Sequence, residues 1–297
     1  MSKGKSVHLT VDIGNTTIAF AVMNDHQVFC VDRIDSQIRR ESLRLQLGGL
    51  LRRYLRSYGP IQVTVVCSVV PRLSHFVCMS IQREFRCEVR VVGETLTVPM
   101  VNRYRKPQQV GQDRLVGAFA AFQLYGSPVI VIDLGTAITF DAVSGKGEYL
   151  GGVIVPGIRL SAEVLFQKTA LLPKINIEAP CSVIGRSTQE SILSGLFYGY
   201  GCLCRGLIEL MVKQMEGRPY IVMTGGHTQL MKKFIKGVSG LGSKESFDFR
   251  DLTRQTKRRT ISRKDPVRFI IDEHLVFKGM GLLLSSIESC SCVKPRR

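Results

Sequence analysis

Two nearly identical strand-and-turn signatures, VDIGNT at Val11–Thr16 and IDLGTA at Ile132–Ala137, stand in opposite halves of this chain. A repeated local signal of this kind constrains the fold to a duplication, in which each half builds the same unit around its own turn. Each signature ends an apolar run of strand character, Val7–Val11 and Val129–Ile132, and leads into another, Ile18–Val22 and Ile138–Val143. The unit reads as strand, turn, strand. At such a turn the glycine lets backbone approach a ligand closely. The amides that follow and the side chains of Asn15, Thr16 and Thr136 can donate to phosphate oxygens, and the aspartate can hold a cation or its water shell.

Composition narrows the class. The chain has 297 residues, 44% of them hydrophobic, and a mean hydropathy of +0.10, enough to build sizeable cores in one large or two ordinary domains. No apolar run is expected to reach the roughly 20 residues of a membrane span. Asp12 interrupts the first apolar stretch, so a cytoplasmic protein without a membrane segment is expected. Nine cysteines are scattered, and neither Cys202-Leu-Cys204 nor Cys290-Ser-Cys292 has a second pair or histidines at zinc-finger spacing. They read as reduced thiols. The net charge of +17 calls for a polyanionic partner or a solvated basic surface. Arg39, Arg40, Arg44, Arg52, Arg53 and Arg56 lie on one expected helix opposite an apolar stripe of Leu43, Leu47, Leu51, Tyr54 and Leu55. A second cluster, Arg254, Lys257, Arg258, Arg259, Arg263 and Lys264, falls in a polar stretch from about 236 to 265, expected to be a mobile surface insertion.

Patterning predicts strands near 7–11, 18–23, 27–34, 61–67 and 88–92 and helices at 37–57, 72–85 and 114–124 in a first half spanning 1–124. In a second half, 125–297, it predicts strands at 129–132, 138–143, 148–155 and 219–223 and helices at 158–167, 187–215 and 273–287. The order βββαβα, once per half, is the pattern of the duplicated actin, hexokinase and acetate-kinase phosphotransferases, an α/β fold of ribonuclease H-like halves. That pattern implies a nucleotide cleft between the halves.

Four further segments make the reading specific: NRYRKPQQVGQDR at Asn102–Arg114, GGVIVPG at Gly151–Gly157, GRST at Gly185–Thr188, and TGG at Thr224–Gly226. With the two turns, in this order and spacing, they resemble the type III pantothenate kinases over essentially the whole chain. The resemblance implies ATP-dependent phosphorylation of the primary hydroxyl of pantothenate to 4'-phosphopantothenate, the first step of coenzyme A synthesis. It implies that Asp12, Ile13, Gly14, Asn15, Thr16, Thr17, Ile18 and Ala19 form the ATP-phosphate loop, with Asp12 holding Mg²⁺ through water and Thr136 also contacting ATP. It assigns Asp133 to a monovalent cation, K⁺ or ammonium. Pantothenate would be held by Tyr104, Gly111, Gln112, Asp113 and Arg114, with Asp113 as proton acceptor, and by Thr188 from the neighbouring subunit of a homodimer with shared sites. The residues alone leave simpler roles open: Asp113 as a helix cap or a partner of Arg114, Tyr104 as a packed aromatic, Thr188 as an N-cap. The basic 236–265 stretch and the tail Lys294–Arg297 depart from the family pattern.

Other chemistries find no support. There is no Walker A loop, since Gly237–Gly242 is followed by Ser243 before Lys244, and no kinase His-Arg-Asp loop, zinc His-Glu-x-x-His or hydrolase elbow occurs. His8, His26, His75, His227 and His274 are isolated in sequence. The rival is a regulatory protein of the same fold that binds nucleic acid or an acidic partner through its basic surface.

Overall fold

The first signature lies at the end of a strand buried on both faces. β1 (His8–Ile13) packs Leu9, Val11 and Ile13 into one hydrophobic layer and buries His8 and Thr10 on its other face, as a central strand does. Its neighbours are β2 (Thr17–Asn24), antiparallel, and β4 (Val63–Ser68), parallel; β3 (Gln27–Asp35) and β5 (Glu88–Val91) complete a sheet of order β3-β2-β1-β4-β5. Parallel neighbours need crossovers. α1 (Arg40–Tyr58) and α2 (Pro71–Phe85) supply them. The computed structural model describes residues 7–24, 27–236 and 268–291, the last five by backbone alone. The basic stretch expected at 236–265, apart from Lys236, and the tail Lys294–Arg297 lie outside the described residues.

α1 buries Leu43, Leu47, Leu50, Leu51 and Tyr54 and is tied to β3 through Asp32, which accepts from the Tyr54 hydroxyl at 2.8 Å and pairs with Arg53 at 2.7 Å. Leu55, expected in the apolar stripe, is 37% exposed, and Leu50 takes its place.

The second half repeats the first sheet strand for strand. β6 (Val129–Leu134), β7 (Ala137–Val143), β8 (Tyr149–Pro156), β9 (Tyr220–Thr224) and β10 (Phe269–Ile271) are ordered β10-β9-β6-β7-β8, with the same antiparallel and parallel pairings. Even the irregularities coincide. The β2–β3 register slips between Val22 and Met23 and the β7–β8 register between Ala142 and Val143, the same place counted from Ile18 and Ile138. Around this sheet lie α4 (Ile158–Lys168), a helical run made of α5 (Thr188–Ser194), a π turn (Gly195–Gly199) and α6 (Tyr200–Gln214), and α7 (Thr228–Lys236). The π turn interrupts the single helix expected at 187–215. α7 and β10 were not foreseen: nine and three residues are too few for periodicity to declare them, and pairing with β9 makes β10 a strand.

The chain divides into two compact units, Met1–Leu124 with His274–Arg297, and Tyr125–Glu273. The closing helix α8 (Leu275–Ser291) therefore groups with the first unit, where it packs on β1 and β4, whereas a division at 124/125 left it with the second half. Gly279 permits this, since a Cβ there would strike Val116 and Ala120 on α3 (Gln112–Tyr125). The run Thr188–Gln214 is long and apolar enough by length and composition to cross a membrane, contrary to the sequence expectation. Its Leu193, Leu196, Phe197, Cys204 and Ile208 are buried in the hydrophobic core of the second sheet, which accounts for that composition.

Candidate active site

In the first unit Asp12 is the half-buried penultimate residue of β1, opposite Ala19 on β2 and Cys67 on β4. The turn that follows is closed by Gly14 N–H donating to the Thr17 carbonyl at 2.9 Å, and the Thr16 carbonyl accepts from Ser36 N–H at 3.0 Å. Ile13, Ile18 and Ala19 are buried and hold the turn by packing, while Asn15 and Thr16 are exposed and Thr17 is half-buried. Polar side chains and amides are thus presented at the strand end, as an anion-binding turn requires.

The segment around Tyr104 reaches the same strand ends. The Tyr104 amide donates to Asn102 Oδ1 at 3.0 Å, a single 3₁₀ turn (Pro107–Gln109) follows, and buried Val110 leads into α3. α3 begins at Gln112 rather than Arg114, so Asp113 lies in its first turn and accepts from the Arg114 amide at 2.8 Å. Burial pushes the Asp113 carboxyl above its usual range, offset in part by the Arg114 amide and charge. A Cβ on Gly111 would meet Asp113 Oδ1 at 2.5 Å and Val69 Cγ1 at 3.7 Å, and Val69 N–H donates to the Ile13 carbonyl at 3.1 Å. Gln112 lies across Gly93 (φ +86°), where a Cβ would come within 2.8 Å of its side chain. The residues at and just past the end of β4 therefore bridge the first turn and the segment from Tyr104 to Arg114. Cys67 is buried beside Asp12, its cross-strand partner, and its thiol is pushed well up, by burial first and then by the negative charges of Asp12 and Asp113. Neither Cys67 nor Val69 stood out in the sequence. Their only signal was position, Cys67 near the end of the strand that pairs beside β1 and Val69 just past it.

In the second unit Asp133, also half-buried and penultimate in its strand, faces Thr139 on β7 and Thr224 on β9. Gly135 N–H donates to the Ala137 carbonyl at 3.1 Å, and the exposed Thr136 offers its carbonyl to Gly157 N–H at 2.9 Å. Gly157 has no room for a Cβ against the Gly135 and Thr136 carbonyls. Gly225, at φ +93°, is backed onto Asp133 Oδ1, and a Cβ there would lie 2.6 Å from the Leu134 nitrogen. His227 N–H donates to the Leu134 carbonyl at 3.0 Å. Its imidazole is held below the usual histidine range by burial and by Arg159, against backbone carbonyls of Leu134 and Gly135 that favour the proton. Isolated in sequence, His227 belongs to the second clamp because the turn after β9 brings it there.

Thr188 does not cap its helix. Ser187 is the N-cap, its Oγ accepting from Glu190 N–H at 3.2 Å while Glu190 Oε2 accepts from Arg186 N–H at 2.6 Å, a reciprocal capping pattern. Thr188 is exposed at the first helical position. Tyr104 is half-buried.

Among the described residues no group of three or more His, Cys, Asp or Glu could enclose a metal ion. One carboxylate per clamp, with hydroxyls and backbone around it, suits cations that keep water or are completed by phosphate oxygens.

Comparison with known proteins identifies the class. Residues 8–210 match the family described as type III pantothenate kinase. The type III pantothenate kinase of Koribacter versatilis is 39% identical over 248 residues, 78% of this chain and 90% of that protein. That of Moorella thermoacetica is 37% identical over 222 residues, 73% and 87% respectively. In fold, the chain is similar to a ROK family glucokinase from Streptomyces griseus solved with glucose and AMPPNP, with a TM-score of 0.53 at 10% identity, covering 94% of this chain and 99% of that one. It is also similar to component A of the (R)-2-hydroxyglutaryl-CoA dehydratase of Acidaminococcus fermentans, with a TM-score of 0.51 at 11% identity, covering 96% and 99%. The duplicated sheets, the paired aspartate turns and this kinship together establish that the chain belongs to the type III pantothenate kinase family, enzymes that phosphorylate pantothenate with ATP.

Proposed function

We propose that Asp113 accepts the proton of the pantothenate primary hydroxyl and that Asp12–Ala19 cradles the ATP phosphates, with Asp12 steadying a hydrated Mg²⁺. The observation that carries this reading is the end of β4, where Cys67 is the cross-strand partner of Asp12 and the next-but-one residue, Val69, donates to the Ile13 carbonyl on one side and lies near Gly111, itself against the Asp113 carboxylate, on the other. In a loose phosphoryl-transfer transition state the acceptor proton leaves late, so a carboxylate near its ordinary basicity can orient the hydroxyl and take the proton as its acidity rises. Burial of Asp113 raises its basicity in the useful direction. Gly111, Gln112, Arg114 and Tyr104 complete the acceptor site, with Arg114 donating to the pantothenate carboxylate. A coupled assay tests the assignment. Asp113→Asn is expected to lose roughly 10²-fold or more in kcat while binding ATP as before, and near-normal turnover would remove Asp113 from the role.

In the same reading Thr136 contacts ATP, Asp133 holds K⁺ or ammonium, and Thr188 reaches pantothenate in a second subunit. Exposed apolar side chains on β8, α4 and α6, among them Ile154, Val164, Phe166 and Leu210, support a homodimer. Mixed Asp113→Asn and Thr188→Arg subunits would then regain about half of their sites in each heterodimer. Unpaired Cys30, Cys67, Cys78, Cys87, Cys181, Cys202 and Cys204 suit a reducing cytoplasm. The net charge of +17 supports a salt-sensitive secondary affinity for nucleic acid or other polyanions.

A further inference from the structure

The face of the second sheet that carries Asp133 holds a buried carboxylate that the reaction does not use. Along β7, Ile138 and Phe140 pack into the core with α5, α6 and α7. Alternation along the strand turns Thr139 and Asp141 to the other face, with Asp133. Thr139 is the cross-strand partner of Asp133, and Asp141 that of Val131. Exposure falls along this row: Asp133 and Thr139 are half-buried, and Asp141 is 2% exposed.

A carboxylate at that depth is costly unless both its oxygens are satisfied. Here the hydroxyl of fully buried Tyr149 donates to Asp141 Oδ1 at 2.7 Å, and the Thr139 hydroxyl donates to Oδ2 at 3.0 Å. A hydroxyl has one proton and two lone pairs. Because the Thr139 proton is committed to Asp141, Thr139 can act only as an acceptor towards Asp133, and the adjacent anion strengthens it in that role. A carboxylate beside an acceptor-only hydroxyl attracts a cation and repels phosphate oxygens. In the first unit the corresponding register positions are Ala19, Ala21 and Val28, which offer none of this.

We infer that Asp141 is a positioning residue that locks Thr139 as an oxygen acceptor, so that Asp133 and Thr139 together form the protein's part of a monovalent-cation site. The inference rests on the reading of Asp133 as the cation carboxylate. Thermal unfolding of the full-length protein without substrates, titrated with K⁺ against tetramethylammonium at constant ionic strength, measures cation binding apart from turnover. The wild-type midpoint should rise saturably with K⁺, and Asp133→Ala should abolish the response. Asp141→Asn, which can donate to Thr139 and free its proton, should raise the half-saturating K⁺ about tenfold, the scale of one charge-assisted hydrogen bond. Thr139→Val should raise it at least as much, and Tyr149→Phe, which leaves the Thr139–Asp141 bond, by less than about threefold. An unchanged half-saturation in Asp141→Asn or Thr139→Val, with the response still lost in Asp133→Ala, would overturn the positioning role and leave Asp141 as a fold-stabilising group. A wild-type midpoint indifferent to K⁺ would remove the Asp133 reading, and this inference with it. If Asp141→Asn does not fold, Thr139→Val, which keeps the volume of the side chain, decides the question alone.

Discussion

The two clamps share a strand register but not a turn. Ile13 pairs with Ile18 in the first and Leu134 with Ile138 in the second, so the second turn is shorter by one residue. The longer turn leaves Asn15 and Thr16 exposed beside Asp12, with Gly14 bonded forward to Thr17. The shorter one is closed down by Gly157 and Gly225 and sets Asp133 against the Thr139–Asp141 pair. Duplication preserved the scaffold while the side chains diverged. An open turn rich in donors suits phosphate, and a crowded one rich in oxygen acceptors suits a cation.

The sharpest way to break this division is to remove each carboxylate and compare ion requirements. Asp12→Ala and Asp133→Ala are both expected to lower kcat more than about tenfold, given the cost of uncompensated phosphate charge. Asp12→Ala should raise the Mg²⁺ concentration for half-maximal rate and keep the preference for K⁺ over Na⁺. Asp133→Ala should do the reverse, and identical changes in both variants would erase the distinction.

Crowding gives a second, smaller contrast, read by chemical denaturation. Gly225→Ala forces a side chain onto Asp133 and the Leu134 backbone at φ +93°, whereas a Cβ on Gly14 meets only the Thr17 carbonyl at 3.3 Å. We expect Gly225→Ala to cost about 2–4 kcal/mol and Gly14→Ala about 1 kcal/mol or less. Equal costs would mean that the second turn yields as readily as the first.

The smallest effects concern pH, and they carry opposite signs in the two units. Asp113 titrates above its unfolded value, so the folded state binds the extra proton and stability falls as pH rises from about 3.8 through the folded pKa. Asp113→Asn should therefore raise the unfolding midpoint by about 1–2 °C at pH 7 and lose that gain below pH ~4. His227 titrates below its unfolded value of 6.5, so stability is greatest above that pH and is lost as pH falls towards the folded pKa. His227→Gln should flatten that acid limb. An acid limb unchanged in His227→Gln would show that the imidazole is not buried against the Leu134 turn in solution.

Much of the fold was legible because it rests on local signals. Alternation and apolar runs marked the strands around both turns, and two spellings of one aspartate-glycine signature announced the duplication. Shorter pieces were not legible. α7 and β10 lack the length for a period to emerge, and Ser187, not Thr188, caps α5 because cap choice depends on which backbone torsion turns extended, here Ser187 at φ −137° and ψ 163°. The candidate site divides the same way. Asp12 and Asp133 stood out at their turns and Asp113 only through the family resemblance of its segment, but Cys67, Val69, His227, Thr139 and Asp141 have no motif of their own.

By itself the sequence determined what is local along the chain: two strand-turn units, the arginine-bearing helix, and the Asn102–Arg114 segment that runs into a helix. Those are short-range matters, governed by residue periodicity and by the few residue types a tight turn admits. Only the tertiary structure decided that α8 returns to the first sheet, that the end of β4 sets Cys67 beside Asp12 and the following Val69 near Gly111, and that one hydroxyl beside Asp133 has its proton turned away. Each depends on which strand lies next to which and on burial, and both arise from contacts between residues far apart in the chain, where no local pattern records them.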